Sequence, residues 1–148
     1  MNSSPVTLRG CWIDGVIVAT TTEPADTAIS ALCEDNGWPC IRGSQGDVLS
    51  RYAMGAGVAK ADVVVRVTSD CPLFSPRILD AMLARFDPNE MDYMSTNYPA
   101  RSFPVGLDCE VMRADALLQA DADATAAYDR EHVTPYLYNN PALFRLRG

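Results

Sequence analysis

Histidine is almost missing from this chain, with His132 the only one in 148 residues. That leaves little for a metal centre built on imidazoles or for a Ser-His-Asp triad. Basic residues are also scarce. Twelve Lys and Arg face 19 Asp and Glu, for a formal net charge of −7, which attracts neither nucleic acid nor an anionic membrane surface. No apolar run approaches the ~18 residues of a membrane span, and the N-terminus lacks a basic segment followed by an apolar core. The expectation is a cytoplasmic protein with no nucleic-acid or membrane partner. The five cysteines, Cys11, Cys33, Cys40, Cys71 and Cys109, are odd in number and form no Cys-x-x-Cys pair. They read as reduced, mostly buried thiols and not as a disulfide framework or zinc site. Internal repeats and linkers are absent, so residues 1–148 read as a single domain able to bury roughly two-thirds of its unfolded surface.

What the chain does have is a β-branched run, Ala61 to Thr68, followed by Ser69-Asp70-Cys71-Pro72. Such a run predicts a central strand buried on both faces, as in a parallel α/β sheet. Pro72 lacks an N–H and ends any ladder. Ser75-Pro76 then predicts an N-cap and first helical residue, with Ile78, Leu79, Met82, Leu83 and Phe86 as the apolar stripe. Ligands of open α/β sheets bind outside the carboxyl ends of the strands, where Asp70 stands. A carboxylate there suits a hard cation carrying phosphates, and equally a simple turn cap.

Upstream, Val16 to Thr20 predicts a second buried strand, and Glu23-Pro24-Ala25-Asp26 a helix start. Ala28, Ile29, Ala31 and Leu32 give that helix an apolar face, and Asn36-Gly37 its stop. Trp38 to Arg42 is a short strand pushed toward the sheet edge by Pro39. Asp47 caps the next helix, which carries Val48, Leu49, Tyr52 and Ala53. Strand and helix alternate with short connections, which predicts a parallel three-layer α/β domain. Downstream come a strand over Met91–Thr96, an aromatic- and proline-rich loop to Pro104, and a strand over Gly106–Met112. Period two puts Asp108 and Glu110 on one face of that strand. A short helix over Ala114–Ala120 follows. Asp129 then caps a helix whose first turn holds Arg130, Glu131 and His132, and Leu143–Arg147 is a last strand.

Several stretches together resemble the spore coat polysaccharide biosynthesis protein F-like cytidylyltransferases, relatives of the synthetases of CMP-linked acidic sugars. They are VIVATTTEPADTAISALCEDNGWPCIRGSQGDVLSRY, VVVRVTSDCPLFSPRILD, DYMSTN, FPVGLDCEV and AYDREHVTPYLYNNP, in family order from about Ile13 to Gly148. The resemblance implies a Rossmann-like nucleotide-diphosphosugar-transferase fold with a mostly parallel sheet. It also implies attack of a sugar hydroxyl on the α-phosphate of CTP, with Mg²⁺ assisting and pyrophosphate leaving. CTP and a sugar acid are the implied partners, with a homodimer expected. Asp70 matches the aspartate at the metal and phosphates, with Arg66, Thr68 and Ser69 on the substrate side of the same strand end. Arg66 would reach a phosphate or the base, or else pack between sheet and helix in an ion pair. Asp108 and Glu110 fall on the sugar-facing strand, as ligands for hydroxyls or a second metal, or as a solvated edge. Arg130, Glu131 and His132 match an Arg-Glu-His segment, with Arg130 as anion clamp for an acidic sugar and His132 as a hydrogen-bonding partner. A capped helix packed on the sheet explains the same residues.

Two family features have no counterpart here: the first strand with its Gly-Ser-Arg-Leu-Pro-x-Lys type loop, and the segment beyond Phe-Arg-Leu with a second metal-binding aspartate. Without that first strand, Val16–Thr20 and Ala61–Thr68 must pair directly, or Pro5–Arg9 or a neighbouring chain must lie between them. Two other functions compete with the cytidylyltransferase. One is a shortened non-catalytic homologue acting through oligomerisation or binding. The other is a sugar-nucleotide glycosyltransferase using Asp108-Cys109-Glu110 as its metal pair.

Overall fold

The computed structural model describes residues 13–148. Strand β1, Val18–Thr21, leads through a 3-10 turn, Pro24–Asp26, into helix α1, Thr27–Asn36. Gly37 closes α1 in the left-handed region at φ 68°, a conformation that glycine takes without Cβ strain. Strand β2, Cys40–Gly43, pairs parallel to β1. Asp47 then caps helix α2, Val48–Ala59, by accepting the Ser50 N–H at 3.1 Å. Strand β3, Val63–Arg66, is followed by helix α3, Pro76–Leu83, with Pro76 in its first turn.

The second half adds β4, Tyr93–Ser95, and β5, Glu110–Arg113. Helices α4, Ala114–Asp123, α5, Ala127–His132, and α6, Pro135–Asn139, precede the final strand β6, Leu146–Arg147. The larger sheet has the order β3-β5-β4-β6. β5 runs antiparallel to both neighbours, and β4 and β6 are parallel. Three of its four strands therefore share a direction and β5 alone is reversed.

Alternating side chains of this sheet feed two separate cores. Tyr93, Met112 and Val64 face Leu49, Leu117, Val133, Leu137 and Phe144, under α2 and α4 to α6. Met94, Val111, Val63 and Val65 face Leu79 and Met82 of α3. Helices cover both faces of the sheet, so the three-layer α/β architecture holds. Leu49 and Leu117 are fully buried, and cutting either to Ala would cost about 2–5 kcal/mol.

Four expectations need correction. β3 is half-buried and lies at an edge of its sheet among the described residues, not at the centre. β1 and β3 do not pair with each other; Pro5–Arg9, the other intramolecular candidate for that gap, lies outside the described residues. Helix α1 buries only Cys33, while Ile29 and Leu32 are exposed, so its apolar face has no cover among the described residues. Finally, α5 starts at Ala127 with Ala126 as N-cap, which puts Asp129 inside the first turn and not at the cap.

Candidate functional site

The mouth of β3 is built by a strand that ends early. β3 stops at Arg66, and two residues later a turn closes with the Cys71 N–H donating to the Thr68 carbonyl at 3.1 Å. This turn leaves Ser69 and Asp70 exposed while Cys71 is buried. The Thr68 hydroxyl donates to Asp70 Oδ1, and Cys71 Sγ lies 3.3 Å from Thr68 Oγ1. The Asp70 carboxyl sits below the usual carboxylate range because Thr68 and its own backbone N–H stabilise the charge, helped by Arg66. It is thus ionised and open to solvent at neutral pH.

Behind this mouth lies a buried carboxylate. Glu110, only 8 % exposed, accepts the Tyr93 hydroxyl at 2.6 Å and the Thr134 hydroxyl at 2.7 Å on Oε1, and Arg66 Nη1 on Oε2. Tyr52 of α2 covers the guanidinium, with its ring centroid 5.6 Å from Arg66 Cζ. Burial works against the Arg66 charge, and the Glu110 carboxylate more than offsets it. Burial and then Glu110 push the Tyr93 phenol far up, so it stays a donor. Arg66 Nε is buried without a hydrogen-bond partner among the described residues.

Thr134 reaches Glu110 through a backbone feature that the sequence does not announce. Val133, fully buried, sits at φ 75°, ψ −58°, and the Thr134 N–H donates to the His132 carbonyl at 2.9 Å. That is the φ > 0 γ-turn, a strained geometry, and a β-branched residue makes it costlier. Strain of about 1–3 kcal/mol persists only where the surroundings enforce it. Here the corner between α5 and α6 is tied to the sheet through Thr134 and Glu110.

The remaining candidates separate. Asp108 is ion-paired with Arg101 and Glu110 with Arg66, so the two do not form one carboxylate pair. Just before β5 begins at Glu110, the Thr96 N–H donates to the Cys109 carbonyl at 3.1 Å and the Thr96 hydroxyl accepts the Cys109 N–H at 3.1 Å. Each carboxylate already holds an arginine, which weighs against a metal pair at Asp108 and Glu110 and the glycosyltransferase reading built on it. Arg130 is not free to clamp an anion. Nε and Nη2 bind both oxygens of Asp47 at 2.9 and 2.8 Å, and Nη2 also binds Asp121 at 2.6 Å. Nη1 binds the carbonyls of Asp121 and Ala124 at 2.5 and 3.4 Å. All five N–H donors are used, so Arg130 staples α2, α4 and α5 together. The His132 ring packs on Tyr128, 4.3 Å between centroids, and both His132 and Glu131 are exposed.

Among the described residues no group of three His, Cys, Asp or Glu side chains is placed to hold a metal ion. A single open carboxylate is nevertheless what Mg²⁺ uses when it arrives on substrate phosphates, since it keeps waters and needs only one or two protein carboxylates. Asp70 fits an ion delivered in that way. Two polar surface cavities, sharing Arg113 and Asp115, open at the other end of the sheet. There Asp92 ties Arg145 and Arg113 together.

A family model described as cytidylyltransferase matches residues 7–147. The chain belongs to the cytidylyltransferase family. An uncharacterised protein of Methanocaldococcus jannaschii is 42% identical over 134 residues, covering 90% of this chain and 54% of its own length. Spore coat polysaccharide biosynthesis protein SpsF of Bacillus subtilis is 34% identical over 136 residues, covering 90% and 55%. The structure of a cytidylyltransferase from Leptospira borgpetersenii superposes with a TM-score of 0.82 at 32% identity, covering 90% of this chain and 56% of that one. The chain spans about half the length of the curated relatives it matches. Among the described residues no helix is long and apolar enough to cross a membrane.

Proposed function

We propose that this cytidylyltransferase-family chain transfers CMP from CTP to an acidic or modified sugar for surface polysaccharide, as a cytoplasmic, Mg²⁺-dependent reaction. The observation that carries the reading is the ionised, solvent-open Asp70 carboxylate at the carboxyl end of β3, with Arg66 behind it. In the reaction a sugar hydroxyl oxygen bonds to the α-phosphorus and the bond from that phosphorus to the bridging oxygen breaks. Pyrophosphate leaves with the bonding electrons, and the hydroxyl proton passes to solvent. A Mg²⁺ ion bound with the triphosphate would neutralise charge on the phosphoryl oxygens. Asp70 would hold that ion, the Thr68 hydroxyl would orient the carboxylate, and Arg66 would face the phosphates, with Ser69 beside them. Glu131 and His132 stay candidates for the sugar side, on the exposed surface of α5.

The test is pyrophosphate release from CTP and Mg²⁺ over a panel of 2-keto sugar acids. Release with one of them supports the reading. No release with any sugar, together with no CTP binding by calorimetry, would sink it and leave a non-catalytic homologue. The expected homodimer is checked by light scattering of the same sample, where a strict monomer would count against it.

A further inference from the structure

The two arginines singled out by the sequence differ in how far the protein itself satisfies them. Arg130 spends all five N–H groups on Asp47, Asp121 and Ala124. Arg66 makes one hydrogen bond among the described residues, to Glu110, and its side chain stays 17% exposed, so N–H donors remain for a partner arriving from solvent. A guanidinium whose donors are all used is a structural tie. One that is charged, oriented and still short of acceptors is prepared for an acceptor that comes from outside.

Its orientation comes from a shell of buried groups. Glu110 contributes a single charge, and its other oxygen takes two hydroxyls, so no second cation competes with Arg66 for it. Tyr93 is 1 % exposed and Thr134 is 3 % exposed, so neither hydroxyl has water as an alternative partner. Thr134 in turn is aimed by the strained turn at Val133. Tyr52 closes the face of the guanidinium. Given the nucleotide reading above, we propose that Glu110 is a positioning residue that, with Tyr93 and Thr134, holds the Arg66 guanidinium at the mouth of β3 to contact a phosphate oxygen. Glu110 itself touches no substrate. This replaces a role in binding sugar hydroxyls or a metal, since Glu110 is 8% exposed and both of its oxygens are already engaged inside the protein.

The test is calorimetric titration of the full chain with Mg²⁺-pyrophosphate and, separately, with Mg²⁺-CTP. Arg66→Lys keeps the charge but loses the planar fork, and weakens pyrophosphate binding by about tenfold or more. Thr134→Val removes one hydroxyl without changing shape or charge, and weakens binding by about threefold to tenfold. Thr134→Ser restores the hydroxyl and recovers most of that loss. Asp92→Asn, at the other end of the sheet, lowers the melting temperature and leaves pyrophosphate affinity unchanged. Glu110→Gln weakens pyrophosphate binding if it folds, and Thr134→Val carries the test if it does not.

Equal pyrophosphate affinity in wild type, Arg66→Lys and Thr134→Val makes the cluster purely structural and overturns the proposal. CTP binding that is indifferent to Arg66 does the same while the nucleotide reading stands. Pyrophosphate binding that needs Arg66, without any CTP binding, supports the proposal and overturns that reading. Binding of neither ligand overturns both.

Discussion

Replacing Arg130 by alanine removes a cation that joins three helices. The Asp47 carboxylate, 32% exposed at its side chain, loses a bidentate partner, and Asp121, at 29%, loses the one cation it pairs with among the described residues. The carbonyls of Asp121 and Ala124, at the end of α4, lose their donor as well. Breaking a fully buried pair costs about 3–5 kcal/mol, and exposed pairs contribute about 0.2–1 kcal/mol. With the Arg130 side chain 19% exposed, the effect belongs between these limits, at about 2 kcal/mol. For a chain of this length that lowers the melting temperature by about 4–8 °C. Arg130→Lys keeps a charge but cannot span two carboxylates and two carbonyls, and loses about half as much.

The pH dependence follows from Asp47, whose carboxyl lies below its usual range chiefly through the Arg130 hydrogen bond. A depressed carboxylate contributes stability above its unfolded value near 4 and loses it as pH falls through the folded value. The gap between wild type and Arg130→Ala therefore narrows on acidification below about pH 4. Thermal melts across pH, with CTP and sugar-acid titrations on the same samples, make the measurement. Unchanged stability with lost binding of the sugar acid would refute the staple and restore the anion clamp.

Other outcomes follow from single features. Val133→Ala costs about 2 kcal/mol of packing and keeps the strain. Val133→Gly removes one more carbon but takes φ 75° freely, so it is at least as stable as Val133→Ala, the reverse of the usual order. Urea denaturation of the two variants decides this. Asp26 is held at about 2 by the Thr21 hydroxyl first, then Thr20 and the Thr21 N–H. Thr21→Val moves it up toward the usual carboxylate range in a carbon-detected NMR titration, and no movement would contradict that cause. Stability drawn from Asp26 is present above pH 4 and is lost as pH falls toward about 2.

Much of this architecture was legible because alternation and caps are local. Asp47 at the start of α2, Gly37 at the end of α1 and Pro76 in α3 all act over three or four residues. The stripe Ile78, Leu79, Met82, Leu83 and Phe86 meets the sheet as its spacing predicts. Periodicity says which residues share a face, however, and not what covers that face. Ile29 and Leu32 of α1 share one and stay exposed.

The site was less readable because its decisive contacts are distant in the chain. Arg130 meets Asp47 from 83 residues away, and Glu110 meets Arg66 from 44. No local rule tells a saturated arginine from an unsaturated one. The turn at Val133 runs against the preference of its own residue type, because packing and the Thr134–Glu110 bond override it. Asp108 and Glu110 sit two residues apart, yet each is taken by a different arginine, Arg101 and Arg66, which alternation alone does not foretell.

The most direct measurement is a calorimetric titration of CTP into wild type and Asp70→Ala, with and without Mg²⁺. Wild type binds CTP more tightly when Mg²⁺ is present, and Asp70→Ala loses that gain while its melting temperature stays close to wild type. Equal Mg²⁺ dependence in both proteins, or no CTP binding at all, would contradict a metal–phosphate site at the mouth of β3.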